Sequence, residues 1–306
     1  MFVSPFDGVL EAIEYGPRRR LDVMRLKIEA SKAKAAKVIP LDKESLPQVL
    51  QEKGLWAAFR AFPFRNIPKL DERPPQILIS LDNLEPYYPR SACFLDQEAD
   101  AFEAGLAALK CLAPIKLVML KDNKDAIQRF RKESIILTEN QYPLSDPGIA
   151  LYKTKKTVEE NKSWYIQPQH VIEIGYLLQT GRLKQSRIIS IAGPASDHAA
   201  HYSVALGDSF SHLLTESKNN QDVEKKRMVA GGLLAGRDAS ELPYLGYDDA
   251  ALNLISSAYE PELLSFLQVG AKKISYSKTF LSSFLKLKDS SPDVHVNGGY
   301  RDCVSC

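Results

Sequence analysis

The sequence has no apolar stretch near the ~20 residues that a membrane-spanning helix requires, and no basic leader followed by an apolar segment opens it. Neither a direct membrane span nor a secretion signal is expected. Excess charge of one sign is also missing, since 40 Lys and Arg stand against 38 Asp and Glu, interleaved along the chain. Binding to nucleic acid draws on a basic stripe that releases phosphate counterions, and no such stripe is present. The runs Arg18-Arg19-Arg20 and Lys225-Lys226-Arg227 read as solvated turn or edge residues.

Cysteine is scarce. Cys93 and Cys111 stand alone in apolar context, as reduced core thiols of a cytoplasmic protein do. Cys303 and Cys306 form one CxxC, which offers two thiolates where a zinc or iron–sulfur site needs about four ligands; incidental, unmetallated thiols are expected. Absent as well are GxSxG, HExxH, GxxxxGK[ST] and an intact GxGxxG. The doublets Gly231-Gly232 and Gly298-Gly299 read as turns rather than phosphate cradles. His198 and His201 read as solvated loop residues, and His170 as a capping or surface residue on the polar side of a helix. Carboxylates are spread evenly, with no pair marked out as an acid/base couple. Motifs alone describe a soluble α/β protein without a readable catalytic constellation.

What is present is pattern. With 44% apolar residues over 306 positions, the chain can bury two or three cores. Residues 2–30 read as short strands joined by tight turns, and Lys32 to Lys37 as a linker or short helix. Ser45 to Phe59 fits one amphipathic helix with Pro47 in its first turn, ended by Pro63 and Pro68. Apolar runs at Ile77–Leu81, Ile115–Leu120 and Ile135–Leu137 read as buried strands. Helices are expected at Glu98–Leu112, Asp125–Arg131 and Pro168–Thr180, the last closing at Gly181. Alternating strands and helices argue for a parallel α/β sheet. Strands at Arg187–Ala192, Tyr202–Leu206 and Met228–Gly232, with a short helix Phe210–Leu214 between them, follow the order of a small β-grasp unit. Ala250–Ser256 and Ile274–Tyr276 read as further strands.

Several blocks together carry a family resemblance. Gly54-Leu55-Trp56 with Arg60, Pro63-Phe64 and Ile67-Pro68 is similar to the Gly-Leu-Trp…Arg…Arg-Pro-Phe…Val-Pro block of the A subunit of the Na+-translocating NADH:quinone oxidoreductase (Na+-NQR). Trp164 with Gln169-His170-Val171-Ile172 and Gly175 resembles that family's Trp…Gln-Asp-Val-Ile…Gly. Ile191 to Pro194, Leu206-Gly207 and Val229 to Arg237 follow its Leu-Ala-Gly-Pro…Leu-Gly…Gly-Arg order, and Tyr244 to Tyr247 and Asn297 to Gly299 add shorter matches. The resemblance runs through nearly the whole chain in order, and the chain looks like a piece of the family's longer sequence, lacking both ends.

The resemblance implies an α/β protein of several units: a partial lipoyl-like half-barrel over 1–38, a Rossmann-like domain over 39–184, a β-grasp domain of the soluble-ligand-binding type over 185–258, and a truncated segment over 259–306. It implies a non-redox peripheral subunit on the cytoplasmic side of the bacterial inner membrane. That subunit would serve a complex that passes electrons from NADH to ubiquinone and exports Na+. Flavins and iron–sulfur centres would sit on other subunits, among them the membrane subunits that are its expected partners.

Distant flavin-bearing relatives, the NADH-oxidising subunit of complex I and the C subunit of the Rnf complex, carry a glycine-rich loop where this chain has Leu55 to Pro63. Side chains there would block close approach of a flavin phosphate to the backbone. The aromatic block is accordingly the candidate site: Trp56, Phe59, Phe62 and Phe64, with Arg60 and Arg65 as donors. Its expected role is to fill the ancestral flavin cleft. The alternative is an apolar slot for a quinone ring, or a partner surface. Two rival functions remain open at this stage, a flavoprotein that oxidises NADH directly and a free-standing small-ligand-binding module.

Overall fold

A computed structural model describes residues 3–28, 44–240 and 242–257, and the backbone of 301–302. The expected linker at Lys32–Lys37, the expected strand at Ile274–Tyr276, the Gly298-Gly299 doublet, and Cys303 with Cys306 lie outside the described residues.

The alternating opening segment folds as an antiparallel ribbon of Gly8–Tyr15 (β1) and Leu21–Ile28 (β2). The helix expected over Ser45 to Phe59 is interrupted. Leu46–Glu52 (α1) stops because Gly54 takes a φ of 78°, a left-handed conformation that glycine adopts without steric cost, and Leu55–Ala58 forms a separate 3-10 turn. The two-residue strand Arg60–Ala61 (β3) follows.

The next unit alternates strand and helix: Ile77–Ser80 (β4), Ala92–Leu95 (α2), Ala99–Leu112 (α3), Ile115–Leu120 (β5), Lys124–Arg129 (α4), Ser134–Thr138 (β6), Pro147–Thr154 (α5), Trp164–Tyr165 (β7) and Pro168–Thr180 (α6). Its sheet runs β3-β7-β4-β5-β6, with β7, β4, β5 and β6 parallel and β3 antiparallel at the edge. β4 is continuously apolar and buried, as a strand covered on both faces must be. The helices α3 and α6 cross at two glycines. A Cβ on Gly105 would sit 2.0 Å from the Val171 carbonyl oxygen, and one on Gly175 would sit 1.7 Å from that of Ala101. Only glycine lets the two backbones approach so closely. The α6 helix ends on Gly181, whose left-handed φ of 71° lets its N–H bond the Leu177 carbonyl.

The third unit holds Ser186–Ala192 (β8), Ala200–Ala205 (β9), Phe210–Glu216 (α7), Lys226–Ala230 (β10), Arg237–Asp238 (β11), Ala251–Ser256 (β12) and the backbone pair Arg301–Asp302 (β13). Its sheet runs β11-β10-β12-β8-β9-β13, with β8 and β9 a hairpin and β12 parallel to β8 at the centre. β10 begins and ends two residues earlier than the apolar pattern predicts, because Gly231 turns away at a φ of 94°. Phe210, Leu213 and Leu214 of α7 pack on Ile189, Ile191, Leu252 and Leu254 to form its core. The whole is a mixed α/β fold, as expected.

Candidate functional site

The aromatic block divides. Trp56 and Phe59 are buried, with ring centroids 5.0 Å apart, and Trp164 of β7 meets them edge-on at 5.7 and 5.8 Å. Trp56 Nε1 donates to the Pro68 carbonyl at 2.8 Å, so the indole has its polar partner inside. Phe62 lies on the opposite side of the sheet, 5.1 Å from Tyr165. Phe64 is 81% exposed and fills nothing. A block acting as one plug was expected; only its first half does so, because the chain crosses the sheet edge at β3.

The two arginines also part company. Arg60 pairs with Asp248 Oδ2 at 2.6 Å and donates to the carbonyls of Phe59 and Ala57. Arg65 forms a two-pronged pair with Asp146 at 3.0 and 2.8 Å, and its guanidinium stacks 5.5 Å from the Tyr165 ring centre. Arg65 faces a cleft; Arg60 does not.

That cleft, of about 690 Å³, opens beyond the carboxyl ends of β4 and β7. Strand order reverses between these two strands, since β5 and β6 extend the sheet to one side of β4 and β7 to the other. Such a switch point is where open α/β sheets leave room for a ligand. The far wall belongs to the third unit and includes Gly231, Gly232 and Arg237. The walls are latched by Glu85, which accepts the Leu234 N–H at 2.8 Å and the Tyr142 hydroxyl at 3.1 Å. A Cβ on Gly232 would come within 2.6 Å of the Glu85 carboxylate, so the glycine makes way for that latch. Burial pushes the Tyr88 phenol up to about 12, and burial together with Glu85 does the same for Tyr142. Burial also raises Tyr165. All three stay protonated near neutral pH and can donate hydrogen bonds.

Beside the cleft runs a chain of alternating charges that ties α6 to the third unit. His170, wholly buried, meets Glu173 Oε2 through Nδ1 at 2.8 Å and Asp248 Oδ1 through Nε2 at 3.0 Å. Its ring stacks on Tyr247 with centroids 4.5 Å apart. Arg187 of β8, buried as well, donates to Glu173 Oε1 at 2.7 Å and to the Tyr247 carbonyl. Burial works to raise the Glu173 carboxyl, but Arg187 and His170 outweigh it and hold the group at about 2. Burial likewise opposes ionisation of Asp248, and His170 and Arg60 keep it below the usual carboxylate range. His170 was expected on the polar face of its helix; the structure buries it because three carboxylate and arginine partners converge there. His201, expected in a solvated loop, is buried in β9, while His198 is exposed.

Residues 41–183 match a family model described as the second alpha/beta domain of NqrA. The A subunit of the Na(+)-translocating NADH-quinone reductase of Pasteurella multocida (strain Pm70) is 30% identical over 313 residues, covering 99% of this chain and 69% of that protein. The chain belongs to the NqrA family, the A subunits of Na+-translocating NADH-quinone reductases. Family members from Histophilus somni (strain 2336) and Cellvibrio japonicus (strain Ueda107) are 27% and 26% identical over the same shares. The stretch of this family member from α1 to α6 thus holds both the aromatic core and the near wall of the cleft.

Sequence reasoning missed the charge chain, although one signal was available. Glu173 interrupts the apolar run Val171, Ile172, Ile174 of α6, and Arg187 heads the apolar strand β8. A charge inside a buried run needs a partner. Nothing in sequence ties either residue to Asp248, which is contributed by a distant loop. Among the described residues, no group of three or more His, Cys, Asp or Glu could hold a metal, and no helix is long and apolar enough to cross a membrane.

Proposed function

We propose that this chain serves as a peripheral subunit without a redox centre of its own in a Na+-translocating NADH:quinone reductase. It docks on the membrane subunits from the cytoplasmic side, while flavins and iron–sulfur centres on other subunits carry the electrons. The observation that carries this reading is the filled turn at Leu55 to Phe59. Flavin phosphates are held where backbone N–H groups lie open at glycines. Here Trp56, Phe59 and Trp164 occupy that space as a dry cluster. The three units are read as a partial lipoyl-like half-barrel, a Rossmann-like domain and a β-grasp domain.

A second contribution, to quinone binding, is favoured by one feature. Arg65 and three protonated phenols face a cleft of about 690 Å³, within the ~300–1,000 Å³ usual for small ligands, and a quinone carbonyl needs such donors. Arg65 rather than Arg60 is placed for that task.

The test is purification of the full chain with and without the remaining subunits of its reductase. The lone chain should be colourless, and it should co-purify with those subunits from solubilised membranes. A stoichiometric flavin band that survives gel filtration would favour the direct NADH-oxidising reading instead. A chain that associates with none of the subunits would favour the free-standing module.

A further inference from the structure

The ribbon of β1 and β2 stands apart from the three cores. Its eight-residue strands pair only with each other. Val9, Leu10, Ile13, Tyr15, Leu26 and Ile28 are all exposed. The register shows how the exposed apolar groups are gathered. Leu10 lies opposite Leu26, Gly8 opposite Ile28 and Ile13 opposite Met24, with a bulge between Leu10 and Ala12. Without the bulge, Ile13 would point to the other face; with it, Leu10, Ile13, Met24, Leu26 and Ile28 share one side. The other side carries Arg25, which reaches Tyr244 of the body at 3.5 Å. The apolar side therefore faces away from the protein.

The tip adds charge. Residues 8–28 hold five basic side chains against three acidic ones. Arg20 pairs with Asp22 and Arg25 with Glu14, whereas Arg18 and Arg19, both held at left-handed φ near the turn, have no acidic partner among the described residues. A lone two-stranded ribbon is marginal in water, and contiguous exposed apolar groups mark an interaction surface.

We propose that this ribbon is the surface through which the chain docks on its reductase, and that its occupant is an acidic, strand-forming segment of another subunit; this rests on the docking reading above. A polypeptide strand satisfies two needs at once. It pairs with the unpaired N–H and C=O groups on a ribbon edge and covers the apolar side, while its carboxylates meet Arg18 and Arg19. A lipid surface would cover the apolar side but leave the edge groups without partners. A second copy would bring two net-positive ribbons together.

The full chain, co-produced with the other subunits and carrying a photo-activated benzophenone side chain at position 13 or 26, tests this directly. Irradiation of the purified complex is expected to join the ribbon to another subunit, at a segment rich in Asp or Glu. The paired change Arg18→Glu and Arg19→Glu should lower co-purification about tenfold or more, as should Ile13→Ser with Leu26→Ser, with the circular dichroism of the body unchanged. Adducts confined to lipid, to a second copy or to the same chain would overturn the proposal. So would undiminished co-purification of both variants. If the unaltered chain itself captures no subunit, the docking reading falls first, and the ribbon proposal with it.

Discussion

Two neighbouring parts of the molecule join the same elements by opposite means. The cluster of Trp56, Phe59 and Trp164 fills the space beside α1 and β7 with rings. A few residues further along the chain, Arg60, Asp248, His170, Glu173 and Arg187 alternate in charge through an interior nearly as closed. The ring cluster draws its stability from removing apolar surface from water, which is non-directional. The charge chain must first lose its hydration and recovers that loss only when every partner is in place. The first tolerates small shifts between the units; the second selects one arrangement of them.

The comparison can be broken from either side. Trp56→Ala should lower unfolding stability by about 3–5 kcal/mol, the range for a truncated core aromatic. Arg187→Met should cost a similar amount, about 3–5 kcal/mol, because it strands the Glu173 carboxylate in the interior. Denaturant titrations at several pH values should separate the two, since only the second loss depends on protons.

The direction of that dependence follows from Glu173. Its carboxyl is depressed to about 2 in the fold, so its stabilising contribution is complete above the ordinary glutamate range and fades as pH falls toward about 2. The unaltered protein should thus weaken on acidification. In the Arg187→Met protein nothing holds the carboxyl down, burial raises it, and protonation relieves the stranded charge. The stability gap between the two proteins should narrow as pH drops. A gap that stays constant would mean that Glu173 and Arg187 do not act as a pair.

Arg60 and Arg65 sharpen the contrast with a smaller effect. Arg60→Ala removes one of the two partners of Asp248 and should lower the melting temperature while leaving quinone reduction by the assembled complex intact. Arg65→Ala should raise the quinone Michaelis constant with little change in melting temperature, if the cleft receives the quinone. Equal kinetic effects from both arginines would remove the distinction drawn between them. Smallest of all, Phe64→Ala should change stability by less than about 0.5 kcal/mol, as for other exposed side chains.

Much of the fold was legible in the sequence where local pattern and burial agree. β5 and α6 fall on the expected residues because Ile115 to Leu120 is an unbroken apolar run and because α6 carries Pro168 at its start and Gly181 at its end. The two-residue strands β3 and β7 left no readable period, yet β7 completes the reversal of strand order that opens the cleft. α5 escaped notice as well, although Asp146 caps it through the N–H groups of Gly148 and Ile149. The same Asp146 holds Arg65. Of the candidate residues, Trp56 and Phe59 were readable as core from their helical spacing. The charge chain was not readable, because its members are contributed by β3, α6, β8 and the loop before β12, and only three-dimensional packing unites them.

The glycine crossing of α3 and α6 limits how the cleft can change its width. With a carbonyl of each helix seated in the notch that the other's glycine leaves, neither helix can slide along its neighbour without backbone collision. Shear, one of the two common modes of closure between packed elements, is thereby denied to the near wall. Any breathing of the cleft becomes a rotation of the opposite wall, about the peptide units next to Gly231 and Gly246, with the near wall as the fixed jaw.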